Sequence, residues 1–214
     1  MRLSFSKNQP IERPINIILA SQSVGRKMLL DKMSLRFRVV VAHVKEEDIT
    51  DPDPITMIKR RAQAKVEEIA QHPRVYGIAE DDKSLIIAAD SMAILGKEVF
   101  GKSKDRDETK DMLRRLMGRT HTFVTAVNAV YVVEGKEKRR VAKVIKSRVT
   151  MRKMATLEIE SYVTRYDFTR YAAAYAINEA PWDLVTKIDG SYTNVIGLPF
   201  EVILPILRNL KIIA

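Results

Sequence analysis

The sequence predicts an α/β fold: a single domain in which a twisted mixed sheet is flanked by helices. Three observations carry this. Short apolar runs alternate with segments of helical periodicity, the pattern of strand and helix units packed in layers. Other strand-like runs meet at the tight turns Gly96-Lys97 and Gly135, which calls for antiparallel hairpins beside any parallel pairs. The chain has 214 residues, 46% hydrophobic and 30% charged, enough to bury one ordinary core or two small lobes around a cleft.

The elements follow in order. Residues 15–19 are an apolar strand that passes through Ala20-Ser21-Gln22-Ser23 into a helix, with Ser23 as N-cap and Met28, Leu29 and Met33 on one side. Residues 37–44, rich in β-branched side chains, predict a second strand ending at Glu46-Glu47-Asp48. After the loop marked by Pro52 and Pro54, the spacing of Ile55, Ile58, Ala62, Val66 and Ile69 predicts an amphipathic helix to about residue 71. Residues 72–83 read as a polar loop. Residues 86–89 form a strand ending on Asp90, and residues 92–95 and 98–100 a hairpin. Asp105 and Glu108 form a capping box that opens a helix closed by Gly118. Residues 122–133 and 140–152 are long strands, 156–166 a helix, 183–188 a strand before Asp189-Gly190, and 200–210 a closing helix interrupted at Pro205.

Lys and Arg number 37 against 27 acidic residues, a net charge of +10. That excess suits nucleic acid, nucleotide phosphates or simply a basic surface. The run Lys136, Lys138, Arg139, Arg140 reads as a solvated hairpin tip. With no cysteine there is no disulfide or thiolate chemistry, so a metal would have to sit on oxygen or histidine ligands. No apolar run is long enough to span a bilayer, and residues 1–14, read as an N-terminal extension, lack a cleavable signal pattern. A soluble cytoplasmic protein is expected.

Two places carry chemistry. A carboxylate at the end of a buried strand is costly unless it acts, and Asp90 with Lys102 twelve residues on supplies an acid and a cation suited to phosphate chemistry. Ser21, Ser23 and Arg26 gather two hydroxyls, helix-start N–H groups and a guanidinium around one point, as an anion site requires; a plain serine cap with a surface arginine is the alternative. Residues 96–103, GKEVFGKS, satisfy the phosphate-loop pattern. The match is read as accidental, because Val99-Phe100 has strand character and the next helix cap comes only at Asp105. His43, His72 and His121 fit no metal-ligand spacing, and Trp182 reads as a loop anchor.

At larger scale the chain resembles a known family. LASQSVGRKMLL is similar to the LASxSPRRxxLL opening of the Maf nucleoside triphosphate pyrophosphatases. IIAADS with a following GK, RRLMGRTHTFVTAV, AAYAINE and IDGSYTNVIGLPFEVI resemble further elements of that family in order, from about residue 15 to 211. The resemblance implies a Maf/inosine triphosphatase-like domain over residues 15–214, with a cleft between two lobes. It also implies cleavage of nucleoside triphosphates between the α and β phosphates with magnesium or manganese. Asp90 then corresponds to the catalytic aspartate, Lys102 and Lys65 to lysines that neutralise phosphate oxygens, and Glu47 to a second acid that shares the metal with Asp90, with Glu46 and Asp48 as alternatives. Ser21, Ser23, Arg26 and Asn178 would bind substrate. Gly25, Val24, Ser103 and Ala173 depart from the pattern, and Asn178 with Glu179 stands where the family has Gln-Gly. The ending is nearer the dTTP- and UTP-directed branch. The implied partner is a nucleoside triphosphate, with no membrane, no required nucleic acid and a homodimer as a family-level expectation. The competing reading is a catalytically weakened scaffold that holds nucleotide or nucleic acid without turnover.

Overall fold

The structure is a computed structural model that describes residues 14–79 and 81–214; the expected extension, residues 1–14, lies outside the described residues except for Pro14. A seven-stranded mixed sheet organises the chain. β1 (Asn16–Leu19) runs parallel to β2 (Phe37–Val39) on one side and to β3 (Lys83–Leu95) on the other. β4 (Glu98–Phe100) folds back antiparallel on the end of β3. β5 (Thr120–Val133), β6 (Lys136–Met151) and β7 (Val185–Asp189) extend the sheet by antiparallel pairing beyond β3. The helices are α1 (Val24–Asp31), α2 (Pro54–Gln71), α3 (Arg106–Leu116), α4 (Thr156–Arg165), α5 (Tyr192–Ile196) and α6 (Phe200–Asn209).

Local chemistry explains most boundaries. Ser23 accepts from the Arg26 N–H to start α1, and Asp53 accepts from the Ile55 and Thr56 N–H groups ahead of Pro54 to start α2. Asp105 accepts from the Glu108 N–H, while the Glu108 carboxylate accepts from Lys104, one residue earlier than in a standard capping box. Glu134 and Gly135, with φ of 51° and 68°, make the left-handed pair that turns β5 into β6 with the twist a hairpin needs.

Several expectations need correction, among them the start of β6, which takes in the basic run from Lys136, and one helix was missed. β2 stops at Val39, because residues 41–44 leave the sheet and several of them line a cleft. Residues 83–95 are one continuous strand, so Asp90 lies in mid-strand opposite Ala126 and not at a strand end; the uninterrupted pairing of β3 with β5 carries the backbone through the carboxylate. α6 continues through Pro205, whose missing N–H removes one bond, since the helix gains more from burying Val202, Ile203, Ile206 and Leu207. The short helix α5 was hidden in a glycine-flanked segment.

The position of the site follows from how β3 is shared. β5 covers one edge of β3 from Lys83 to Ile94. The other edge is divided: β1 pairs with residues 84–87 and β4 with residues 93–95. Between them residues 88–92 have no strand partner on that side, and the sheet opens with Asp90 at the middle of the gap. Separate cores lie on either side. One gathers Phe100, Leu113, Leu116, Phe123 and Tyr162; the others pack α1, α2 and α6 onto β1, β5 and β3 as far as Met92. This is the expected cleft between two lobes. No helix among the described residues is long and apolar enough to cross a membrane.

Candidate active site

A cleft of about 610 Å³ occupies the gap. Ser21, Ser23, Arg26, Lys65, Asp90, Lys102 and Asn178, seven of the residues expected from sequence, all line it. The eighth, Glu47, does not.

Alternation along β3 sends Ile86, Ala88, Asp90 and Met92 to the sheet face covered by α2, and Ser91 to the opposite face. α2 buries Ile58, Ala62, Val66 and Ile69 against that face, and Lys65 lies on the same stripe. Its stem is therefore enclosed, and its ammonium emerges at the cleft floor, 3.8 Å from Asp90 Oδ1 and 2.6 Å from Glu46 Oε2. Glu46, one of the alternatives named from sequence, and not Glu47, is thus the second acid that lines the cleft, because the short 3-10 turn Glu46–Asp48 directs Glu46 inward and leaves Glu47 exposed. Arg61, one turn before Lys65, donates to the Ile49 carbonyl at 3.1 Å and ties that turn to α2. Sequence reading missed Arg61, although its i, i+4 spacing to Lys65 was the available signal.

Arg26 is buried and joins three segments. Its Nε donates to the Gly197 carbonyl (2.8 Å), and its terminal nitrogens donate to Ser21 Oγ and Ser91 Oγ (2.9 Å each). Ser91 bonds Thr125, which donates to the Asn194 carbonyl. At Gly25 a Cβ would lie 2.9 Å from Ile196 Cγ2 and 3.1 Å from the Ile196 carbonyl oxygen. A side chain there would push α1 off the end of α5, which accounts for glycine where the family pattern has arginine.

Lys102 is set by its backbone. It forms a bridge with Ala172, and the Ala173 N–H donates to the Gly101 carbonyl at 2.8 Å. Ala173 and Ala174 hold the left-handed φ values of 61° and 59°, a strained choice for alanine that surrounding contacts must enforce. Tyr175 supplies one such contact: its hydroxyl is 2.8 Å from His121 Nε2, both rings being buried. Asn178, farther along, lies at the cleft wall with its amide nitrogen 3.5 Å from the Met28 sulfur. The phosphate-loop match resolves as a β3–β4 hairpin, with Ser103 bonded to Thr109 at 2.7 Å and the next helix starting at Arg106.

Burial pulls the His121 pKa down to about 4, from an ordinary 6.5. The unfolded chain then binds a proton between those values that the folded one refuses. Stability is expected to fall as pH drops from about 6.5 to about 4, by up to about 3 kcal/mol from this group, and His121→Gln should flatten that limb in denaturant melts across pH. An unchanged acid limb in the variant would remove His121 as its cause.

The lining carries five cations, Arg26, Arg61, Lys65, Lys102 and Arg170, against two carboxylates, Glu46 and Asp90. Burial pushes the Asp90 carboxyl above the usual aspartate range, Lys65 and then Arg26 pull it back, and Glu46 adds to the rise. Burial, then Arg26, hold Lys102 below the usual lysine range, with Glu46 opposing. A net positive, partly desolvated cleft with two acids on its floor is built for a polyanion.

Residues 16–210 match the family described as Maf-like protein. The chain belongs to the Maf family. Among curated relatives it is 36% identical to the dTTP/UTP pyrophosphatase of Dictyoglomus turgidum, over 86% of this chain and 90% of the relative. It is 35% identical to that of Citrifermentans bemidjiense over 90% and 94%, and 32% identical to that of Chelativorans sp. over 88% of both chains. Within this Maf chain, the eight candidate site residues named from sequence and the cleft lining coincide at all but the acid of the second strand's turn.

Proposed function

We propose that this chain hydrolyses nucleoside triphosphates, dTTP and UTP among them, between the α and β phosphates, giving the monophosphate and pyrophosphate. The observation that carries the reading is the composition of the cleft: an mid-strand Asp90 at the gap in the sheet, with Lys65, Lys102 and Arg26 around it. The relatives, known as dTTP/UTP pyrophosphatases, support it. Lys102 and Lys65 neutralise phosphate oxygens as charge builds on the leaving pyrophosphate, and Arg61 and Arg170 extend the positive lining. The free N–H groups at the start of α1, with Ser21 and Ser23, receive a phosphate. Asp90 accepts a proton from the attacking water, its elevated pKa bringing it closer to the working range of a general base. Asn178 offers the base one amide donor and one acceptor.

A divalent cation, magnesium or manganese, fits the donor set. Asp90 and Glu46 both approach Lys65 Nζ, at 3.8 and 2.6 Å, so the two carboxylates border one small volume. Magnesium takes one or two carboxylates and completes its shell with waters and substrate phosphates. Bound there, it would supply charge neutralisation on the phosphates and lower the pKa of a bound water.

The test is a product assay with dTTP, UTP and a wider nucleotide panel in magnesium and in manganese. Equimolar pyrophosphate and monophosphate is the expected result. Release of inorganic phosphate alone, or retention of nucleotide without any turnover, overturns the reading; the second outcome would identify a binding scaffold.

A further inference from the structure

The β6 edge of the sheet carries a feature that nucleotide hydrolysis does not use. β7 pairs only with residues 148–151 of β6, so residues 136–147 run along an edge with no strand beside it among the described residues. In such an edge the outward N–H and C=O groups of alternate residues are left without a ladder. The same stretch, KEKRRVAKVIKSR from Lys136 to Arg148, holds seven basic residues and one acid, a net +6 of the chain's +10. The seven are exposed. Among the described residues, only Arg140 of the seven makes an ion pair, with Glu137 at 2.6 Å and Glu67 at 3.7 Å. None of these residues lines the cleft.

A few lysines suffice to stop a sheet edge pairing with its own kind. Six net charges do more: they select. Beyond the bulge at Tyr131/Val132, alternation puts Arg139 and Lys143 on one face and Arg140, Lys146 and Arg148 on the other, so both flanks of the open edge are positive. A second copy of this chain would meet like charge along its whole length. A nucleic acid would find cations, but no aromatic ring on β6 to stack a base, and it could not answer the outward N–H and C=O groups in alternation. An extended peptide answers both.

We propose that the open edge of β6 is a docking site for an extended acidic segment of a partner protein, which adds a strand to the sheet with its carboxylates beside Arg139 and Lys143. Main-chain bonds supply the attachment and cross-strand charge pairs the selectivity.

The test is fluorescence anisotropy with a labelled peptide of about ten residues alternating Glu and Val, long enough to run from Arg139 to Ser147 along the open edge. Saturable binding that weakens with salt is expected, together with loss of binding when alternate peptide nitrogens are methylated and failure of the matching Lys-Val peptide to bind. Arg139→Glu with Lys143→Glu should weaken binding about tenfold or more while nucleotide hydrolysis stays unchanged, since opposite-charge pairs become like-charge pairs. Equal binding of the methylated and unmethylated peptides would reduce the edge to a charge patch and overturn the proposal. So would tighter binding of a twenty-nucleotide oligothymidylate, or no saturable binding of the peptide at all. The methylation arm uses the unaltered protein and stands even if the double variant misfolds.

Discussion

Asp90→Asn is expected to reduce pyrophosphate release by at least about 100-fold, the lower end of what a positioned general base contributes. The substitution keeps the shape of the side chain in mid-strand and its place opposite Ala126, so β3 and β5 stay paired. It removes the negative charge that attracts Lys65 and Arg26, but Lys65 retains Glu46 at 2.6 Å. Nucleotide binding should therefore persist or tighten, because one repulsive charge leaves a cleft that already favours anions. Single-turnover rates and equilibrium binding of a non-hydrolysable triphosphate separate the two effects. A variant with more than a tenth of normal turnover would remove Asp90 from the chemical step.

The pH dependence has a definite sign. Burial raises the Asp90 pKa, so the carboxylate needed for turnover appears only as pH rises through a value above the ordinary aspartate range, and activity should climb across that interval. Folding is linked in the opposite sense: the folded state holds the proton more tightly than the unfolded one, so this group's contribution to stability declines over the same rise in pH. Asp90→Asn should abolish both trends.

Arg26→Ala is expected to cost about 3 kcal/mol of stability as well as most of the activity, the scale found when one member of a buried charged network is removed. The guanidinium links the start of α1, β3 just past Asp90, and the Gly197 turn before α6 through three hydrogen bonds. Deleting it takes the guanidinium donor from the Gly197 carbonyl, leaves Ser21 with only the Ser23 N–H and Ser91 with only Thr125, and opens a cavity beside Asp90. Arg26→Lys should recover part of the stability and little of the activity, since an ammonium cannot reach three acceptors held in a fixed fork. Denaturant melts of both variants, followed by the product assay, decide it. Wild-type melting of the alanine variant would show that the network carries no such energy.

Much of this was legible in the chain. The apolar spacing of α2, the caps Ser23 and Asp105, and the β5–β6 hairpin are local matters, governed by side chain and backbone within a few residues. The cleft residues were legible for different reasons: Asp90 because a carboxylate at the end of an apolar run is costly and cost marks a site, Lys65 and Asn178 only through the family resemblance.

What the sequence alone determined, then, is the set of elements, their mixed α/β class and most of the charged groups that meet. Tertiary structure decided where they meet. Asp90 becomes central only because β1 and β4 divide one edge of β3 and leave residues 88–92 open between them, a matter of long-range pairing that no local pattern encodes. Tertiary structure likewise chose Glu46 over Glu47. Neighbouring residues on a short turn carry the same chemistry in sequence, and only contact with Lys65, held by α2, settles which one faces inward. Gly25 gained its meaning the same way, from the approach of Ile196 across the fold.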